Sequence, residues 1–312
     1  MVVARPDGRP GTSRAARILR RICVRSAVAL DQGDASGSFR PDRRRVGPYR
    51  DAAYVPQLPG PRLSTTSSSP RHGLARVLSK QGLCSRSEAA KWIAAGRVSV
   101  DGRIVRDPEF PIVQGRHRIE IDGDAADAAP RLYLMLNKPR GLVTTAQDER
   151  GRDTVYRCLD GARLGDAPLP WLAPVGRLDK ASEGLLLFCN DPQWAARITD
   201  PDSGPDKTYH VQIDTIPNAA QLAALGEGVI EHGERLRAKS ATLLRAGEKN
   251  AWLEIVLDEG RNRQIRRLLA GFDIGVLRLV RIGIGGLALG DLGKGQWREL
   301  SAIEVAALGA GG

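Results

Sequence analysis

The stretch Pro174–Asp191, PVGRLDKASEGLLLFCND, sets a group of charged side chains directly against a short apolar string. Arg177, Asp179, Lys180 and Glu183 fall in the loop Gly176–Gly184, and Leu185–Phe188 follows at once. The string is short and is stopped by Asn190-Asp191, which reads as a buried strand rather than a helix. The loop therefore sits at the mouth of a core strand, where a rigid element can hold reactive side chains. A carboxylate placed there can add to an electrophilic carbon or take a proton. Neighbouring cations would favour its ionised form. A charged surface turn with an Asp–Arg or Asp–Lys pair uses the same residue types, and Asp179 alone does not separate the two.

The elements that must position this loop can be read on both sides of it. Leu132–Leu136 is expected to be a buried strand, Asn137–Gly141 a turn, and Leu142–Thr144 a continuing strand. Thr154–Leu159, Trp194–Ile198 and Pro217–Leu225 are expected to be short helices. Lys207–Ile213, KTYHVQI, alternates as a strand, which turns His210 away from the face that carries Tyr209. Ala238–Leu244, Ala251–Leu257, Val276–Arg281 and Arg298–Glu304 are further expected strands. The run EGRNRQIRRLL, Glu259–Leu269, begins as a loop and becomes a helix over Gln264–Ala270, with Ile265, Leu268 and Leu269 facing the sheet. Many strands and few helices give an α+β domain rather than a βαβ dinucleotide fold. The glycine-rich IGIGG at Ile282–Gly286 has no strand-to-helix phosphate-loop context and is expected to be a turn.

Ahead of this lies a smaller module. Leu74, Val77 and Leu78 make an apolar helical face that ends at Gly82. Ser85 and Glu88 have capping-box spacing for a second helix, whose buried side is Ala89, Trp92 and Ile93. Gly96 ends that helix, and Asp101-Gly102 between β-prone pieces signals a hairpin. His117–Ile121 is expected to be a strand, with a linker over Asp122–Pro130. Arg76, Lys80, Arg86, Lys91 and Arg97 can stay in solvent around this small core and offer a phosphate-binding surface, with helix amino ends helping. A solvated charged face is the plainer reading of the same residues.

The chain has 312 residues and a formal net charge of +11, and a basic chain of this kind is expected to meet a polyanion, most often nucleic acid. The excess lies at the front: residues 1–70 hold 13 arginines and 5 aspartates, while residues 119–312 hold 24 basic and 27 acidic residues. Met1–Pro70, with its STTSSSP run, has a disordered, linker-like composition. No long apolar span is present, and Met1–Ala29 has no sustained hydrophobic region of the kind a secretory signal needs. Cys23, Cys84, Cys158 and Cys189 are far apart without a CxxC pair, which argues against zinc and iron–sulfur sites and fits a reducing cytoplasm.

GLARVLSKQGLCSRSEAAKWIAAGRVSVDGRIV resembles the S4 RNA-binding module, with two departures: Gly73 where an arginine usually opens the first helix, and Asp101 in place of the usual asparagine of the hairpin turn. Downstream, LNKPRG, GRLD with GLLLF and ND, then KTYHV, then EGRNRQIRRLL resemble, in order, the ribosomal small- and large-subunit pseudouridine synthases. The similarity spans Arg71–Leu300. It implies a small S4-like module followed by a mixed, mostly antiparallel β-sheet catalytic domain, within an overall α+β fold. The expected division is a basic tail over 1–70, the S4-like module and linker over 71–129, the catalytic domain over 130–305 and a tail over 306–312.

The resemblance also implies that Asp179 is the acting carboxylate, that Tyr209 is the ring stacked near the target uracil, and that Arg266 is the cation paired with Asp179. Arg263 and Gln264 would support the same wall, and Lys138, Arg177 and Arg261 would reach RNA phosphate. Core packing for Tyr209, a structural ion pair for Arg266, a turn role for Lys138 and a solvated surface for Arg177 and Arg261 are the alternatives. Conversion of uridine to pseudouridine exchanges an N1–C1′ bond for a C5–C1′ bond with no redox change, so no cofactor and no metal are expected. The expected partner is ribosomal RNA or a pre-ribosomal particle, met by a monomer. The closing run Val276–Leu300 leans toward the 23S rRNA of the large subunit, with 16S rRNA as the alternative. A non-catalytic RNA-binding or ribosome-assembly protein is the competing class. A glycosidase built on Asp179 lacks an obvious paired acid.

Overall fold

The computed structural model describes residues 71–113 and 115–309, so the expectations for Met1–Pro70 lie outside the described residues. The front module runs β1 (Arg71–Gly73), α1 (Leu74–Lys80), α2 (Arg86–Ala94), β2 (Val98–Val100), β3 (Arg103–Ile104), β4 (Pro111–Val113), β5 (Ile119–Ile121) and β6 (Asp124–Ala125). β1 pairs with β4, and the other strands form a sheet in the order β3-β2-β5-β6. Leu74, Val77, Leu78, Trp92, Ile93 and Val98 share one buried core with Ile112 and Ile121.

The capping box is only half formed. Ser85 Oγ accepts from Glu88 N at 3.1 Å, but the Glu88 carboxylate accepts from Trp92 Nε1 at 2.8 Å instead of reaching back to the cap. A buried indole N–H needs an acceptor, and Glu88 one turn away supplies it. The two departures of this module also have local causes. A Cβ at Gly73 would lie 2.4 Å from Glu109 Oε2, so the glycine leaves room for that side chain. Asp101 takes the left-handed position of the hairpin (φ 50), and its carboxylate accepts from Arg118 N and bonds His117 Nδ1, both at 2.8 Å.

The larger region continues with β7 (Tyr133–Lys138), a 3-10 turn (Val155–Leu159), the small strands β8 (Arg163–Leu164) and β9 (Ala167–Pro168), β10 (Ala173–Val175), β11 (Glu183–Cys189), α3 (Pro192–Thr199) and β12 (Lys207–Ile213). Then come α4 (Ala219–Glu227), β13 (Val229–Glu231), β14 (Glu234–Leu236), β15 (Ser240–Ala246), β16 (Ala251–Leu257), α5 (Gln264–Ala270), β17 (Val276–Ile284), β18 (Leu287–Ala288), β19 (Trp297–Glu299) and α6 (Ala302–Gly309). One sheet follows the order β15-β16-β12-β17-β11-β7-β19, with β10 on β11 and β18 on β17. Every pair in it is antiparallel except β11 with β17.

β11 is buried at all seven positions because the sheet is covered on both faces here. Leu186 and Phe188 join the core under α4 and α5, while Leu185, Leu187 and Cys189 join the core beside α3 and α6. Its parallel contact with β17 is brief, Glu183 opposite Val280 and Gly184 opposite Arg281. Gly184 has φ +100, and a Cβ there would stand 2.2 Å from the Arg281 carbonyl oxygen.

Two expected strands are absent. Leu142–Thr144 forms only an isolated bridge, Val143 with Thr154. Arg298–Glu304 is divided between β19 and α6, because Ser301 caps the helix: Ser301 Oγ accepts from Glu304 N at 3.3 Å and Glu304 Oε2 accepts from Ser301 N at 2.8 Å. That helix runs to Gly309 and buries Leu308 beside Trp194, so the chain past 305 is structured rather than a tail. β17 extends to Ile284, into the segment expected as a turn, and the β13–β14 hairpin replaces the expected turn after α4.

Gly184→Ala is expected to lower stability by about 3 kcal/mol or more, since it combines a left-handed backbone with a backbone clash. Chemical denaturation of the purified variant measures it, and a loss under about 1 kcal/mol would show that the two strands can separate freely.

Candidate active site

The Asp179 loop, β12, the loop before α5 and β17 converge on a cleft of about 490 Å³ lined by Asp179, Lys207, Tyr209, Arg263, Arg266 and Arg281 among others. The loop turns at Gly176, where φ is +70, and it is tied to the segment after β7 by its own backbone. Thr144 Oγ1 donates to Leu178 O at 2.7 Å, and Gly141 N donates to Lys180 O at 2.7 Å. Lys138 is fully buried and donates to the carbonyl oxygens of Ser182 (2.9 Å), Pro139 (3.0 Å) and Asp179 (3.2 Å). Burial pushes its pKa down to about 8. The expected phosphate contact of Lys138 is therefore corrected. Its ammonium satisfies three inward carbonyls of the loop and cannot reach solvent.

The Asp179 side chain is 37% exposed, open to a substrate, and its nearest cation is Arg263, with Nη1 4.0 Å from Oδ2. The expected Arg266–Asp179 ion pair is corrected. Arg266 Nη1 donates to Val276 O at 3.2 Å, and its Nε is buried without a partner. Burial and then the adjacent Arg263 lower the Arg266 pKa, while the Asp179 charge acts in the opposite sense. Arg266 thus lies within the field of the carboxylate without touching it. Tyr209 is buried on the cleft side of β12, opposite Arg281 of β17. His210 projects to the other face, where its Nε2 stands 3.4 Å from Glu254 Oε2.

Other expected contacts divide into exposed groups and internal ones. Gln264 is buried, with Nε2 donating to Glu259 Oε1 at 2.6 Å and to Arg237 O at 3.1 Å, so it shapes the loop rather than meeting RNA. Arg261 pairs with Glu259 at 2.8 Å, and Arg177 and Lys180 are exposed without an ion pair among the described residues. In the front module Arg97 grips Asp122 at 2.7 Å and lies over the Trp92 ring, which makes it an internal strut rather than a phosphate ligand. Arg86 pairs with Glu109 at 3.0 Å and Lys91 with Glu88 at 3.7 Å, both at the surface. Arg76 and Lys80 of α1 have no ion pair among the described residues, and Ser85 serves as the cap of α2. Glu183 is turned out of the cleft and held by Arg278 at 2.8 Å and Lys294 at 2.7 Å.

Sequence reasoning missed Lys207 and Arg281. Lys207 was visible in principle, because it stands two residues before Tyr209 and so shares its face. Arg281 carried no local signal, since its place depends on the register of β12 with β17.

The family model for RNA pseudouridylate synthase matches residues 132–271, and that for the S4 domain matches residues 73–116. An RNA pseudouridine synthase of Rickettsia prowazekii is 36% identical over 230 residues, covering 73% of this chain and 94% of its own. Ribosomal large subunit pseudouridine synthase B of Bacillus subtilis is 33% identical over 239 residues, covering 76% of this chain and 95% of its own. A crystal structure of a pseudouridylate synthase aligns with a TM-score of 0.51 at 31% identity, covering 76% of this chain and 99% of that one. This chain belongs to the RNA pseudouridine synthase family and carries an S4 RNA-binding domain ahead of its catalytic sheet. It is an isomerase that acts on RNA. Among the described residues, no helix is long and apolar enough to cross a membrane.

Lys138→Met is expected to cost about 2–4 kcal/mol of stability, because three buried carbonyls lose their donor together. Denaturant unfolding reads this directly. A variant as stable as the parent would show that water replaces the ammonium without loss.

Proposed function

We propose that this enzyme isomerises a uridine of ribosomal RNA, with the 23S rRNA of the large subunit as its target. The observation that carries the reading is the meeting of the Asp179 carboxylate, the Tyr209 ring and the Arg263–Arg266 cations in one open cleft. The names of relatives from Bacillus subtilis and Haemophilus influenzae, both large subunit pseudouridine synthase B, support the choice of subunit.

In this reading Asp179 is the acting carboxylate, and the Arg263 and Arg266 charges keep it ionised. Tyr209 presents its ring to the uracil, which must leave its stack to enter the cleft. The front module, residues 71–129, supplies affinity through Arg76, Lys80, Arg86 and Lys91, and residues 130–305 supply the chemistry. The cleft residues all come from one chain, which supports action as a monomer. The free thiols Cys84, Cys158 and Cys189 support a reducing cytoplasm.

Asp179→Asn is expected to abolish tritium release from C5-labelled uridine in ribosomal RNA while leaving RNA affinity within about threefold, because it removes charge with little change of volume. Product at the parent rate would refute the role of Asp179. Pseudouridine mapping of ribosomal RNA with and without this gene tests the target, and a change confined to 16S rRNA would refute the large-subunit assignment.

Affinity for the RNA is expected to fall steeply between about 50 and 200 mM salt, with a log–log slope of roughly −0.7 to −0.9 for each phosphate neutralised. The double variant Arg76→Ala/Lys80→Ala should flatten that slope by up to about two such units. A slope unchanged by the double variant would remove α1 from the interface.

A further inference from the structure

Lys207 and Arg281 stand on the floor of the cleft, and neither has a carboxylate within ion-pair distance among the described residues. Both are nearly closed to solvent, 9% and 6% exposed. Arg281 Nε donates to Leu185 O at 2.7 Å, and its Nη2 is buried with no partner. Lys207 makes no hydrogen bond among the described residues. Burial and then the nearby Arg281 lower its pKa, and Asp206 and Asp258 act against this. Each of those carboxylates is already held by another cation, Asp206 by Lys239 at 2.7 Å and Asp258 by Arg237 at 2.9 Å.

Two buried like charges without an anion are expensive, and a structure retains them where a ligand brings the anion. Their place in the sheet says which ligand. Arg281 is directly opposite Tyr209, and Lys207 is two residues from Tyr209 on the same face. Both therefore border the ring on which the target base is proposed to rest.

We propose that Lys207 and Arg281 form an anion subsite in the cleft floor that takes a negatively charged oxygen of the target nucleotide. This rests on the function proposed above. Two oxygens of that nucleotide have the required chemistry. One is a phosphate oxygen next to the flipped sugar. The other is a uracil oxygen: breaking N1–C1′ sends the bonding pair onto the ring, whose oxygens share the charge until the pair at C5 bonds C1′. The proton then leaves C5 and one is taken up at N1, so the isomer has the same atoms as the substrate. Fixed cations beside that oxygen stabilise charge as it develops.

The test uses the full chain and a ribosomal RNA fragment that the parent modifies. Affinity is measured by filter binding and rate under single-turnover conditions, for Lys207→Met, Lys207→Arg and Arg281→Lys. Lys207→Met is expected to lose about tenfold or more in affinity or in rate, the range for one charge-assisted hydrogen bond. Lys207→Arg should recover most of it. Loss of affinity, absent when the target phosphate is a neutral methylphosphonate, assigns the phosphate. Loss of rate with affinity kept, on both RNAs, assigns the uracil oxygen. Lys207→Met with parental affinity and rate overturns the subsite, as does Lys207→Arg as impaired as Lys207→Met. Arg281→Lys guards against a fold effect: a loss in affinity or rate with an unchanged unfolding midpoint supports the subsite, and parental behaviour overturns the part given to Arg281. A parent that modifies no ribosomal RNA ends the proposed function instead, so the two failures are distinguishable.

Discussion

The brief parallel contact between β11 and β17 is the constraint on which the cleft depends. At this point the Gly184 backbone lies against Arg281, and no side chain larger than hydrogen fits between them. The contact fixes where the Asp179 loop enters the sheet, since β11 begins as that loop ends. It also fixes Arg281, and through the register of β17 with β12 it sets Arg281 against Tyr209. Beyond Gly184 and Arg281 the two strands no longer pair. Three segments far apart in sequence are thus brought to one place by a single backbone approach.

The loop itself is held by groups that never touch a substrate. The buried Lys138 ammonium gathers three carbonyls from two sides of the loop, and Thr144 and Gly141 bind its backbone from the same segment. Hydrogen bonds to a charged donor contribute more than neutral ones, and their loss in a buried place is costly. The side chain of Asp179 is thereby left exposed while its main chain is fixed. Precise placement of one reacting group against another is a large part of what an enzyme supplies.

Much of this was legible in the sequence where a pattern was local. β12, β16 and α5 were read at their observed bounds because alternation or helical spacing marks each one by itself. The apolar stop at Asn190-Asp191 located β11 correctly, and the mixed sheet followed from the count of strands. What failed was set by tertiary partners. Lys138 looks like any turn lysine until β7 is paired with β11 and its side chain is buried. Arg97 looks like a phosphate ligand until Asp122 folds back beside it. The α6 helix is a different kind of miss, since Ser301-x-x-Glu304 is a visible capping signal that strand-like neighbours outweighed.

The net charge of the front module overstates what it can offer to RNA. Arg97 and Arg106 are engaged inside the module, the first by Asp122 and the second by the Ala94 carbonyl. Arg86, Lys91 and Arg118 each have a surface carboxylate partner, and such exposed pairs contribute little and exchange readily for phosphate. Arg76 and Lys80 need no exchange at all. They lie four residues apart on α1, so they share one face of that helix. A polyanion drawn to this face meets two cations without first displacing a carboxylate, while the cleft holds two more, Lys207 and Arg281, that no carboxylate pairs. Unpaired charge at both ends of the molecule, with paired charge between, is the distribution expected when one end recruits the RNA and the other acts on a single nucleotide of it.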